Sequence, residues 1–396
     1  MTFHASIAQI CEITTASACQ LDDSLLTSEG LRIHTDTRTI QPGDVFLAFR
    51  GENFDGHKFV QQALEAGAIA AIVQEEIPNA GPQLLVEDTL IAYQQLGQWW
   101  RQQFNIPIIA ITGSVGKTTT KELIAAVLET TGPVLKTEQN FNNEIGVPKT
   151  LMGLSDHHQF AVVEMGMRGR GEIACLAKIA QPTISVITNV GTAHIGRLGS
   201  REAIAEAKCE LLAESPKDAI AILNADTPLL TKTAKTVWSG NTITYGLTQG
   251  ELQGVVEDEQ TLIVGDLSFP LPLSGQHNAL NYLAAIAIAQ HLSLDLAPLH
   301  QGITVTLPDG RAQTHQLDED ILLLDESYNA GPESMTAALK LLKNTPGKRK
   351  IAVLGPMKEL GDHAIQLHQE IGGVVAKLGI DQLLILDEGE EGSAIA

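Results

Sequence analysis

A chain of 396 residues exceeds what one ordinary core accommodates and points to two or three domains, and its 44% apolar share is that of a globular protein. The net charge of −21 argues against broad contact with nucleic acid or an anionic membrane, because neutralising phosphates takes a basic face. No apolar run approaches the ~18 residues of a membrane span, Met1-Thr2-Phe3-His4-Ala5 lacks the basic start of a secretory signal, and the four cysteines have no metal-ligand spacing, so a cytoplasmic protein with reduced thiols is expected.

Residues 1–105 read as a small N-terminal α/β domain. Asp36-Thr37-Arg38 is followed by a turn at Gln41-Pro42-Gly43-Asp44, a buried strand over 45–49, a loop over 51–57, a helix over 58–66 and a short strand over 68–73. Leu90, Tyr93, Leu96 and Trp100 recur at helical spacing, which predicts a core-packed helix over 89–104. On residue chemistry alone Arg38 and His57 are solvated loop side chains.

Residues 106–312 open on the most specific stretch, Pro107 to Thr120. An apolar β-branched run enters Thr112-Gly113-Ser114-Val115-Gly116-Lys117-Thr118-Thr119-Thr120, and a helical pattern follows. This describes a strand, a phosphate-cradling loop and a helix N-terminus. Gly113 and Gly116 permit a tight turn whose N–H groups face phosphate oxygens, Lys117 neutralises the outer phosphates, and a hydroxyl at Thr118 or Thr119 suits Mg²⁺. The usual loop has a glycine where this chain has Ile111, so this form is more compact. Beyond it lie an amide-rich loop with Asn140, Asn142 and Asn143, and a buried strand ending on Glu164 before a Gly-rich turn with Arg168 and Arg170. A further strand leads to His194, with Lys208 fourteen residues on in a helical run. Carboxyl ends of parallel strands are where such sheets place ligand groups. Residues 233–270 alternate apolar and polar, which predicts an antiparallel β subregion, and Asn278 and Asn281 share one face of a later helix.

Pro308-Asp309-Gly310-Arg311 marks a linker to residues 313–396. There the strand Ile321 to Asp325, a loop with Tyr328 and Asn329, a helix from Met335, and strands over 350–355 and 382–386 predict one doubly wound sheet. Three strands are few for such a sheet, so this C-terminal, Rossmann-like domain is expected to be truncated.

Taken together, T-G-S-x-G-K-T-T, D-T-R-x-x-x-P-G-D-x-F, N-x-N-N-x-I-G-x-P, N-V-G-x-A-H with A-K-x-E, G-x-H-N-x-x-N-x-x-A-A, D-x-x-Y-N-A-x-P-x-S-M and L-G-x-M-x-E-L-G resemble the Mur ligase family, in family order from Asp36 to Leu360. Gly331 and Pro356 stand where the pattern leads one to expect Asn and Asp. The resemblance implies an α/β fold of three domains, with a central P-loop-type ATPase domain on a mainly parallel sheet. It implies that Thr37 and Arg38 face the diphosphate of a uridine nucleotide, and that Asn140, Asn142, Asn143, Arg168, Tyr328 and Asn329 hold substrate. ATP would lie on Gly113, Ser114, Val115, Gly116, Lys117, Thr118 and Thr119, with Asn278 and Asn281 at adenine and Arg311 and Asp325 beside it. Mg²⁺ would sit on Thr118, Glu164, His194 and a carbamylated Lys208; Lys117, Glu164, His194 and Lys208 would be the catalytic set.

The activity so implied is ATP-dependent joining of D-alanyl-D-alanine to UDP-N-acetylmuramoyl-tripeptide through an acyl phosphate, by a monomer with small-molecule substrates and no nucleic-acid or membrane partner. The alternatives are the family member that adds the third stem residue, whose D-N-P-R is absent here, and folate polyglutamation, which leaves residues 36–57 without a role. A non-catalytic nucleotide-binding module or GTPase switch is a third, but no N-K-x-D is present.

Overall fold

The computed structural model describes residues 3–318, 320–386 and 389–396, which leaves Met1 and Thr2 of the opening segment outside the description. Its centre is a nine-stranded sheet. Starting at one edge, Val134–Lys136, Phe160–Glu164, Ile108–Thr112, Ile184–Ile187, Ile220–Asn224, Thr242–Gly246 and Leu252–Glu257 all run parallel. The inner strands are apolar on both faces because both faces are covered, as parallel sheets require. One face carries the helices Lys117–Glu129 and Gln276–His291, with Leu123, Ile124, Leu128, Leu283 and Ile286 fully buried. The helices Gly146–Met152, Glu172–Ala180 and Arg201–Ala213 pack in the core on the opposite side. All the parallel strands therefore deliver their carboxyl ends to one edge.

The antiparallel expectation for residues 233–270 is corrected in part. Residues Pro228–Val237 are a helix, entered through a proline in its first turn and burying Leu230 and Ala234. Thr242–Gly246 continues the parallel sheet, and only Leu252–Glu257, Thr261–Val264 and Leu267–Pro270 form an antiparallel meander. Alternation reports a half-buried strand but carries no information on its neighbour's direction.

The N-terminal sheet has the order Ser17–Cys19, Gln83–Leu85, Ala70–Val73, Val45–Leu47, Ile33–His34, parallel except at its first pair. The helix Thr89–Arg101 ties it to the central sheet: Tyr93, Leu96 and Trp100 are buried, Trp100 Nε1 donates to Leu154 O at 3.0 Å, and Arg101 donates to Ala180 O at 2.8 Å and Gln181 O at 3.0 Å. Those last two acceptors are carbonyls at the end of the helix Glu172–Ala180, which lacks partners of its own there.

The C-terminal unit departs from the single sheet expected. Ile321–Asp325 pairs antiparallel with Gln313–Asp318, and Ile351–Leu354 pairs parallel with Gln382–Ile385; among the described residues the two ladders are separate. Gln313–Asp318 is too polar to be read as a strand, yet it satisfies the backbone of Ile321–Asp325 and leaves Ile321, Leu322 and Leu323 exposed. The helices Pro332–Asn344 and Ala364–Leu378 contribute Met335, Leu339, Ile371 and Val375 to the core. Buried His368 donates from Nδ1 to Ala364 O at 2.6 Å and accepts Met357 N–H at 2.8 Å, which pins the loop before Leu360.

Beside the central sheet, Lys121 is fully buried: its amine donates to Thr137 O at 2.7 Å and pairs with Glu122 at 2.9 Å, and Glu122 pairs again with Lys136 at 2.7 Å. Lys121→Ala leaves a buried carbonyl unmet and the carboxylate half-paired, so a destabilisation of about 3 kcal/mol is expected, the low end for breaking a buried pair because Lys136 remains. Urea unfolding measures it, and a loss under about 1 kcal/mol would show the pair to be dispensable.

Candidate active site

The phosphate loop follows the strand Ile108–Thr112, and its shape is imposed by the end of the neighbouring strand. Val115 N donates to Asn189 Oδ1 at 3.0 Å, Asn189 Nδ2 and Thr188 Oγ1 donate to Val115 O at 3.0 and 2.8 Å, and Ser114 N donates to Asn189 O at 3.2 Å. Gly191 N in turn donates to Ser114 Oγ at 2.9 Å. A Cβ at residue 113 would overlap Thr188 Oγ1, and residue 116 has φ +79°, so both positions require glycine. Thr188 and Asn189 escaped the reading from sequence. Asn189 opens N-V-G-x-A-H, and Thr188 directly precedes it.

Lys117 begins the helix and folds back to donate from Nζ to Gly113 O at 2.9 Å. Burial lowers its pKa, opposed by Glu164 and reinforced by Arg311. Thr118 Oγ1 donates to Glu164 Oε2 at 2.9 Å and Asn142 Nδ2 donates to Glu164 Oε1 at 2.8 Å, while Glu164 N donates to Thr137 Oγ1 at 3.0 Å. Sequence-distant oxygen donors thus meet where two strands end. Thr118 and Glu164 fit Mg²⁺, a hard ion that takes one or two protein oxygens and completes its shell with phosphate and water. Among the described residues no three His, Cys, Asp or Glu side chains gather into a metal cage.

Lys208 is 1% exposed on the helix Arg201–Ala213, and its amine has no hydrogen-bond or ion-pair partner among the described residues. Burial and then the Lys117 charge press its pKa well below the ordinary lysine value. His194 starts the short helix Ile195–Leu198 at φ 66°, and burial lowers its pKa against the pull of Glu359, with Lys208 adding repulsion. Its Nδ1 lies 2.5 Å from Glu359 Oε2. His194 therefore faces the C-terminal unit, and among the described residues no hydrogen bond links it to Glu164.

The remaining expected residues divide. Val115, Thr119, Asn140, Asn281, Arg311, Asp325, Tyr328 and Asn329 all line one cleft of about 1640 Å³ with the phosphate loop. Asn278 lines it too but donates from Nδ2 to Ser274 O at 2.8 Å, and the Asn281 amide rests against Gly116. The Arg311 guanidinium stacks 3.6 Å over the Tyr328 ring, its Nε buried without a partner. Asp325 accepts from Ser327 N at 3.0 Å and Asn329 from Ala330 N at 2.9 Å, which shapes that loop. Asn143 is spent on a helix start, accepting from Gly146 N at 2.9 Å. Arg168 is exposed, and Arg170 pairs with Glu206 at 2.7 Å. Arg38, 84% exposed, is held by Asp36 at 2.6 Å, and its guanidinium keeps the Asp36 carboxyl far below the usual range; half-buried Thr37 lies between them.

Family descriptions match in three consecutive pieces: "Mur ligase family, catalytic domain" over residues 32–97, "Mur ligase middle domain" over 111–289, and "Mur ligase, glutamate ligase domain" over 310–396. The chain belongs to the Mur ligase family. A relative from Synechocystis named UDP-N-acetylmuramoyl-tripeptide–D-alanyl-D-alanine ligase is 60% identical over 375 residues, 93% of this chain and 82% of the relative. The crystal structure of MurF from Acinetobacter baumannii superposes with a TM-score of 0.90 at 34% identity, covering 100% of this chain and 88% of that one. MurF from Thermotoga maritima in complex with ADP gives 0.83 at 31% identity, over 92% and 86% of the two chains.

In this Mur ligase the C-terminal unit lies on the central one through contacts made by Glu333 and Glu359. Glu333 accepts from Thr192 N at 2.8 Å and from its hydroxyl at 3.1 and 3.0 Å. Glu359 meets His194 and, at 3.4 Å, Arg197, while Gly196 N donates to Glu359 O at 3.1 Å.

Proposed function

We propose that this Mur ligase joins D-alanyl-D-alanine to UDP-N-acetylmuramoyl-tripeptide with hydrolysis of ATP to ADP and phosphate, completing the pentapeptide precursor of peptidoglycan in the cytoplasm as a monomer. One observation carries the reading: a phosphate loop and a paired hydroxyl and carboxylate floor a cleft that Arg311, Tyr328 and Asn329 close from the C-terminal side. The 60% identity to a relative so named supports it. Among the described residues no helix is long and apolar enough to cross a membrane.

In this reading residues 1–105 hold the uridine nucleotide, with Thr37 and Arg38 at its diphosphate, residues 106–312 hold ATP, and residues 313–396 hold the dipeptide. Asn140, Asn142, Asn143 and Arg168 border the muramoyl-tripeptide. The phosphate loop from Gly113 to Thr119 and Lys117 orient the γ-phosphate toward the tripeptide's terminal carboxylate. A carboxylate oxygen attacks phosphorus, ADP leaves, and an acyl phosphate forms. The dipeptide amine, placed by Tyr328 and Asn329, then attacks the carbonyl carbon, loses a proton, and the C–O bond to phosphate breaks. Mg²⁺ would be held by Thr118 and Glu164, with His194 and a carbamylated Lys208 completing the set, and would supply charge neutralisation for phosphoryl transfer. Arg311 and Asp325 border the nucleotide from the C-terminal side. A phosphate-release assay tests the function: release must depend on both UDP-N-acetylmuramoyl-tripeptide and D-alanyl-D-alanine. Release with the dipeptide-stage nucleotide and a single diamino acid instead would assign the preceding step.

Asn278 and Asn281 hold the nucleoside side of ATP, since an amide offers both a donor and an acceptor to the adenine edge. Changing both to Ala is expected to raise KM for ATP ~10-fold or more with a smaller fall in kcat, read from initial rates. Equal use of GTP and ATP by the unaltered chain would contradict the assignment.

A further inference from the structure

The C-terminal unit grips the central one at a short segment, residues 191–197, and that same segment is tied to the phosphate loop from behind. Gly191 N donates to Ser114 Oγ at 2.9 Å; the next residue, Thr192, donates its N–H to Glu333 Oε1 at 2.8 Å and brings its hydroxyl to both carboxylate oxygens. Thr192 is only 8% exposed, so these bonds are shielded from water, and the negative acceptor strengthens them. Glu333 stands in the first turn of the helix Pro332–Asn344, where the N–H dipoles favour a carboxylate, and among the described residues no cation pairs with it. It follows by a few residues the loop that carries Tyr328 and Asn329.

We propose that Glu333 is a positioning residue for the ligase reaction, which links occupancy of the phosphate loop to the seating of the dipeptide-binding unit. The proposal rests on the ligase reading above. A nucleotide that fixes residues 113–117 fixes Ser114 Oγ, hence Gly191, hence the direction of the Thr192 N–H that Glu333 must meet. Glu333 then sets where the helix Pro332–Asn344 begins and where the Tyr328–Asn329 loop stands relative to the γ-phosphate. By linkage, nucleotide and dipeptide each tighten the other's binding. Glu359 makes a second contact to the same segment without passing through Ser114, so it holds the units together but does not report on the loop.

Calorimetric titration of D-alanyl-D-alanine into the full chain, saturated with UDP-N-acetylmuramoyl-tripeptide, tests this with and without β,γ-imido-ATP. The analogue is expected to tighten dipeptide binding at least ~5-fold in the parent chain. In Glu333→Ala this factor should fall to within ~2-fold of unity while affinity for the analogue alone is unchanged. Glu333→Gln keeps an acceptor for the Thr192 N–H and should retain most of the coupling. Glu333→Asp, with its carboxylate withdrawn by one methylene, should lose it, and serves where the alanine variant does not fold. A parent chain without coupling, or an alanine or aspartate variant that keeps it, overturns the proposal. Interface loss alone would weaken dipeptide binding equally with and without nucleotide, which also overturns it. Failure of the ligase reading shows separately, as absence of dipeptide-dependent phosphate release in the parent.

Discussion

Lys117→Ala is expected to lower dipeptide-dependent phosphate release at least ~10²-fold, the scale of removing one preorganised electrostatic donor, without an appreciable change in thermal midpoint. Among the described residues the Lys117 amine bonds only to Gly113 O within its own loop, so its removal opens no cavity in either core. On the ligase reading proposed above, what is lost is charge at the γ-phosphate. The amine sits where burial lowers its pKa and Glu164 opposes that lowering, a setting in which a fixed cation counts for more than it would in water. The checks are steady-state release and a melting curve on the same preparation. A folded variant with ordinary turnover would remove the phosphate-loop assignment.

The second large effect concerns Lys208. An ordinary lysine has a pKa near ~10.4, but this one is buried, lacks a partner among the described residues and feels Lys117, so its neutral amine is favoured. A neutral amine adds to the carbon of CO₂, loses a proton, and becomes a carbamate anion. The side chain would then offer oxygen to Mg²⁺ and add negative charge beside the Lys117 cation, which a neutral amine cannot do. Acid reverses this: protonation removes the attacking electron pair, so carbamate occupancy should fall as pH drops through the depressed Lys208 pKa. Lys208→Ala should lose at least ~10²-fold in turnover and recover in part when acetate is supplied. Lys208→Arg should stay inactive. A carbamate resonance in the parent chain equilibrated with ¹³C-bicarbonate, absent from both variants, checks the chemistry apart from activity; an active arginine variant would contradict it.

The parts of the site legible in the sequence were those whose chemistry is local. Two glycines, a lysine and a helix start demand one another within a few residues, and Glu164 was marked by ending an apolar strand. Asn189 was not legible as a partner, because its grip on Val115 joins residues 74 apart, and two adjacent strand ends must first be brought together. Glu333 was hidden for the same reason at greater range, and Glu359, though it stands in L-G-x-M-x-E-L-G, shows its partner only once the C-terminal unit lies on residues 191–197. Asn143 was legible as an amide with work to do, and the structure gives it a helix cap. The C-terminal sheet was misjudged because an apolar run such as Ile321 to Leu324 specifies a strand without specifying which edge it will meet; a polar neighbour met it first.

The acyl phosphate is the centre of the account, and oxygen tracing tests it most directly. UDP-N-acetylmuramoyl-tripeptide carrying ¹⁸O in its terminal carboxylate is incubated with the protein, ATP and D-alanyl-D-alanine, and the released phosphate is weighed by mass spectrometry. Because the C–O bond to phosphate breaks when the amine attacks, one labelled oxygen should leave in the phosphate for each pentapeptide formed. Phosphate free of label, with or without pentapeptide formation, would contradict carboxylate activation by ATP.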